Sequence, residues 1–183
     1  MSETLFSLDI ETLGLSSKAA VIEVALCGPD GIMFNWLVSP MYYLWEGEEC
    51  KYEISPDTID WHNSLHPKYF EFLKLIPNHT TSPYKLCISL AEVIERLREF
   101  YGDIKIFANH PQFDITILTH MYEVEGVKVP WKHREILDYA TVRWMFRHKL
   151  ATPELFGKHT AVTDAIAQHK NLLTMLEGVD SHD

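Results

Sequence analysis

The chain opens on a two-residue alternation, with Leu8 and Ile10 on one face of an extended segment and Asp9 and Glu11 on the other, and a strand is predicted over residues 5–10. Val21–Cys27 and residues 32–38 read as two more strands. Gly28-Pro29-Asp30-Gly31 between them has the composition of a tight turn, so an antiparallel meander is expected. The stretch 39–88 has few clean periods. Within it, Ser55-Pro56-Asp57 sets proline at a first helical position and predicts a short helix carrying Ile59, Trp61 and His62. From residue 89 the period lengthens: Leu90, Val93, Ile94 and Leu97 form one stripe, Ser89 and Glu92 have capping-box spacing, and Gly102 closes a helix predicted over 89–101.

Beyond Gly102 strands and helices alternate. Ile104–Ala108 reads as a buried strand, and Asn109 to Pro111 leads into a helix with Phe113, Ile117, Leu118 and Met121 inside. A short strand over 134–137, a helix over 139–148 and a last helix over 160–176 follow, before a frayed tail. Three antiparallel strands and then alternating elements predict an α/β fold with a mixed central sheet covered by helices on both faces. With 183 residues and 46% hydrophobic content, one domain over 1–183 with a core of about 4–177 is expected.

Composition narrows the setting. Glu3, Asp9 and Glu11 interrupt any leader-like apolar run, and no stretch approaches the ~20 apolar residues of a membrane span, so a soluble, cytoplasmic protein with no membrane partner is expected. Cys27, Cys50 and Cys87 lie in no metal or disulfide spacing and read as idle thiols. The Asn78-His79-Thr80 sequon reads as chance in such a chain. The net charge of -10 argues against a nucleic-acid coating protein. Residues 128–158, however, carry seven basic side chains (Lys128, Lys132, Arg134, Arg143, Arg147, Lys149 and Lys158) against three acids. That run is either a modest phosphate track or a solvated helix face.

The candidate chemistry lies in three places, each with a plainer reading when taken alone. Asp9 and Glu11 project together from a strand with apolar neighbours, where acids need a partner such as a divalent cation. Pairs of acids at this spacing also occur on solvated strand edges. Asp114 sits in the first turn of a helix after a buried strand, where open α/β sheets bind ligands and where the helix dipole also favours an acid. His159 and Asp164 are five apart, about 140° on one helix, so His159 is placed on the loop ahead of Thr160 and Asp164 in the helix. Trp61 is either an exposed ring or a half-buried core residue. Asn109 reads as a helix cap, and His62 and His110 either approach the site or, the expectation taken here, lie at the surface.

As a set, D-I-E on the first strand, N-x-x-x-F-D in the middle and H-x-x-x-x-D near the end resemble the DEDDh branch of the 3'-5' exonucleases in the ribonuclease H-like superfamily. The resemblance spans the whole domain. The runs PDTIDWHN and VPWKHREILDYATVRWM look like phage-encoded, exonuclease VIII-like and RNase AS-like members. It implies a ribonuclease H-like fold and metal-dependent 3'-5' hydrolysis of single-stranded nucleic acid, DNA slightly ahead of RNA, to nucleoside 5'-monophosphates. Asp9, Glu11, Asp114 and Asp164 would hold two Mg or Mn ions, with His159 as general base. Thr12, Leu13 and Gly14 would hold the terminal nucleotide, Leu13 wedged against its base, with Trp61 and Phe113 stacking on bases. An exoribonuclease of the same family, an inactive binding module and an endonuclease or integrase on the same fold stay open. So does a homodimer.

Overall fold

A computed structural model describes residues 3–44, 51–65, 80–150 and 159–177. Five strands form one sheet in the order β3-β2-β1-β4-β5: β1 Thr4–Thr12, β2 Val21–Cys27, β3 Met33–Leu37, β4 Ile104–Ala108 and β5 Ile136–Asp138. β1 to β3 pair antiparallel, whereas β4 and β5 run parallel to β1, which is the mixed sheet that the element order predicts. The helices are α1 Met41–Leu44, α2 Pro56–Leu65, α3 Pro83–Tyr101, α4 Pro111–Val124, α5 Tyr139–Phe146 and α6 Ala161–Leu176.

The alternation in β1 divides the molecule into two layers. Phe6, Leu8 and Ile10 join Val24 and Leu26 of β2 and Ile104 and Ile106 of β4 in the main core. Leu86, Leu90 and Ile94 of α3 and Ile117, Leu118 and Met121 of α4 cover that face. On the other face the pairs are Ser7 with Cys27, Asp9 with Ala25 and Glu11 with Glu23. α6 covers this side, through Ala161 and Ala165 against Ala25 and Cys27, and through Leu172 and Met175 against Phe107. Methyl side chains on both surfaces let the helix lie close, and that closeness carries polar residues of α6 to the β1 carboxylates.

Several boundaries move. α3 begins six residues before the expected start, because Ser82 accepts from the Lys85 backbone N–H and Pro83 follows as first helical residue. Ser89 is thus interior, and its Oγ accepts from Trp36 Nε1 at 2.9 Å, tying the helix to β3. Gly102 ends the helix at φ 76°, as its composition predicts. The short strand lies at Ile136–Asp138 behind a 3-10 turn, and α5 stops at Phe146, with a 3-10 turn over 147–149. Cys27 and Cys87 are buried free thiols; Cys50 and the 78–79 part of the sequon lie outside the described residues. Among the described residues no helix is long and apolar enough to cross a membrane.

Candidate functional site

The sheet's α6 face collects acids at one end. Asp9 and Glu11 leave β1 on this face, and Asp164 enters from the first turn of α6. One ligand oxygen from each lies within 4.8 Å of the others. All three residues are about 9% exposed. Asp114 sits in the first turn of α4, outside that trio, and its Oδ2 accepts from the His110 backbone N–H at 3.1 Å. Asn109 does not cap this helix: His110 holds the cap position, exposed as expected, and the Asn109 carbonyl accepts from Ala140 N–H.

Burial and mutual repulsion dominate the electrostatics. Burial first, and then the charges of Asp114, Glu11 and Asp164, hold the Asp9 carboxyl well above its ordinary range; a hydrogen bond from Gln168 opposes them. Glu11 is pushed up to about 8, by burial and then by Glu23, Asp164 and Asp114. Burial raises Asp114 to about 6 against the pull of the His110 N–H. Carboxylates gathered in a poorly solvated place resist ionisation until a cation joins them. An all-oxygen donor set at this spacing suits hard divalent ions such as Mg or Mn, so the residues present fit such an ion.

Beside the trio opens a cleft of about 520 Å³, within the size range of ligand pockets. Glu11, Thr12, Trp61 and Phe113 line it, with Leu15, His62 and the first turn of α2. Trp61 is 44% exposed. His159 stands at this side, in the left-handed region at φ 45°, with its ring edge-on to Trp61 at 5.0 Å between centroids. A non-glycine residue held there is uncommon, and such residues gather at functional sites.

Two further expectations are corrected. Leu13 is 1% exposed and belongs to the core, so it is no wedge; a register shift between Glu11 and Thr12 breaks the β1 alternation, and the leucine facing the cleft is Leu15, 75% exposed. Gly14 lies beside Glu53, whose side chain is 3.2 Å from where a Cβ would stand. His62 is buried, not a surface residue, and its Nε2 lies 2.9 Å from the Thr12 carbonyl oxygen. Two residues escaped the sequence reading. Glu23, 1% exposed, stands opposite Glu11 on β2, and Gln168, fully buried, donates to Asp9 Oδ1 at 2.7 Å. Their clues were an acid in the otherwise apolar VIEVALC and a glutamine one helical turn after Asp164.

Comparison with known proteins gives a family and a fold. The family described as "3'-5' exoribonuclease Rv2179c-like domain" matches over residues 4–176. No curated protein matches the chain by sequence. Among solved structures, the nuclease domain of 3'hExo, a DEDDh family member bound to rAMP, superposes with a TM-score of 0.62 at 12% identity, covering 96% of this chain and 92% of that one. Cell-death related nuclease 4 (CRN-4) superposes with a TM-score of 0.57 at 13% identity, covering 97% of this chain and 64% of that one. At such identities the likeness is one of fold: a mixed sheet flanked by helices, of ribonuclease H-like type.

Proposed function

The chain belongs to the family of Rv2179c-like 3'-5' exoribonuclease domains, and from that premise we propose that it trims single-stranded nucleic acid from the 3' end, RNA ahead of DNA, at the acidic site described above. As a member of that family it is a 3'-5' exonuclease. One observation carries the assignment of the site: carboxylates from β1 and α6 meet with their oxygens within 4.8 Å, beside a cleft of nucleotide size.

In this reading Asp9, Glu11 and Asp164 would hold the divalent ions, with Asp114 in support. Bound there, two Mg or Mn ions would supply the positive charge that acidifies the attacking water and stabilises the leaving 3'-oxygen. His159 accepts the proton of that water as its oxygen attacks the terminal phosphorus. The bond from phosphorus to the 3'-oxygen of the preceding nucleotide breaks, and a nucleoside 5'-monophosphate leaves. Thr12, Trp61 and Phe113 form the walls that receive the terminal nucleotide, and stacking on an aromatic ring contributes about 1–3 kcal/mol per base with little sequence preference. The family's description and the rAMP held by the 3'hExo nuclease domain favour RNA, against the slight preference for DNA drawn from sequence. Sugar choice depends on contacts to the 2'-position.

Matched 3'-labelled and 5'-labelled single-stranded RNA and DNA, digested with Mg or Mn, test the reading. Immediate release of labelled mononucleotide from the 3'-labelled RNA and a shrinking ladder from the 5'-labelled RNA are expected, with slower loss of DNA. Internal fragments from both labels would overturn it.

A further inference from the structure

We infer that Gln168 is a positioning residue for the metal site: its buried carboxamide fixes the Asp9 carboxylate for ion binding, a role resting on the proposed function of Asp9. Gln168 and Asp164 are four apart on α6, so both face β1 from one stripe of the helix. Asp164 adds its carboxylate to the ion site while Gln168, one turn further, reaches Asp9 with a 2.7 Å hydrogen bond to Oδ1.

The chemistry of the amide suits this role. Asp9 is crowded by Glu11, Asp114 and Asp164, so its free oxygens already face like charge. A cationic donor at the same place would compete with a divalent ion, and a carboxylate would add a further repulsion. A neutral N–H donor holds Oδ1 without doing either. The residue is fully buried, and its Oε1 has no hydrogen-bond partner among the described residues. Methionine at this position would keep a similar volume and remove only the donor to Asp9. A buried amide aimed at a metal-site carboxylate is explained by what it does for that carboxylate.

The test compares Mn binding to the full-length wild type, Gln168→Met and Gln168→Asn by calorimetry, with the melting temperature recorded for each. Methionine removes the donor and asparagine withdraws it by one methylene. Both variants are expected to melt no lower than a few degrees below wild type and to bind Mn about 10- to 100-fold more weakly, the usual range for a lost outer partner of a metal ligand. At saturating Mn, kcat on a short oligonucleotide falls while KM holds. Mn affinity within twofold of wild type in a folded variant would overturn the inference. Asp9→Ala separates it from the reading beneath: equal Mn affinity in that variant and in wild type would overturn the metal site itself, and Gln168's role with it.

Discussion

Trp61 stands edge-on to His159, with ring centroids 5.0 Å apart and planes at 73°, and the same indole meets His62 in a like arrangement at 4.9 Å and 72°. His62 in turn lies 2.9 Å from the Thr12 carbonyl, which can only accept, so its Nε2 carries the proton. The end of β1, helix α2 and the histidine ahead of α6 are thereby joined through three rings. If His159 is the base, Trp61 fixes its ring as well as lining the cleft. His159→Ala is expected to lower kcat by about 10²- to 10⁴-fold. Trp61→Ala should lower kcat by roughly tenfold or more, and Trp61→Phe by less, since an edge-to-face partner remains. Steady-state kinetics on a short oligonucleotide check this; a Trp61→Ala variant with unchanged kcat and raised KM would leave the indole as a base platform only.

The ion-free protein should lose stability as pH rises. Folding holds Asp114 at about 6 and Glu11 at about 8, above ordinary carboxyl values, mainly by burial. Between those values and the ordinary range of about 4, the folded state keeps protons that the unfolded chain releases. Stability is then full below about pH 4 and is lost as pH climbs through about 6 and 8. Melting with a chelator from about pH 5 to about pH 9 is expected to show a falling temperature, and Mn should raise it most at the alkaline end. A flat or rising profile in chelator would contradict this.

Away from the cleft, Arg98 joins the end of α3 to the segment before β5. Its Nε and Nη2 donate to the two oxygens of Glu135 at 3.0 and 2.9 Å, while Nη2 also donates to the Pro130 carbonyl. The Lys132 backbone N–H donates to Glu135 as well. The side chains are 15% and 10% exposed, so loss of Glu135 leaves the Arg98 guanidinium in poorly solvated space with only Glu95 and the Pro130 carbonyl beside it. Glu135→Ala is expected to cost about 1.5–3 kcal/mol by urea denaturation, with the metal affinity unchanged.

Helix α3 supplies a sharper test of how local chemistry selects an end. The sequence reading starts this helix at the Ser89 and Glu92 pair, whereas the structure starts it behind Ser82, with Pro83 as first helical residue. Ser82→Ala should cost about 1 kcal/mol as a lost cap, measured by thermal or chemical unfolding. Ser89→Ala instead removes the acceptor of Trp36 Nε1, and its effect should disappear in a Trp36→Phe background.

Local periods made the layers legible, and long-range partners were not. Period two in β1 and period 3.6 in α3 report which faces are buried, and the order of elements anticipates a mixed sheet between helical layers, though not the order of its strands. The β1 register shift leaves no mark in composition, so Leu13, expected in the cleft, lies in the core. His62 read as polar and hence exposed, because its partner is a backbone carbonyl fifty residues earlier. Glu23 and Gln168 matter through residues across the sheet, and only pairing of β1 with β2 and docking of α6 reveal them. Asp9, Glu11 and Asp164 could be singled out through the order of three motifs, whereas their approach to within 4.8 Å depends on the alanine-lined contact of α6 with β2.

The most direct measurement is the divalent-ion-dependent release of nucleoside 5'-monophosphate from single-stranded RNA by wild type beside Asp164→Ala, each with its fold checked by melting. Wild type should release mononucleotide only with Mg or Mn, and the variant should fold yet release none above background. Full activity in folded Asp164→Ala would contradict the assignment of hydrolysis to this site.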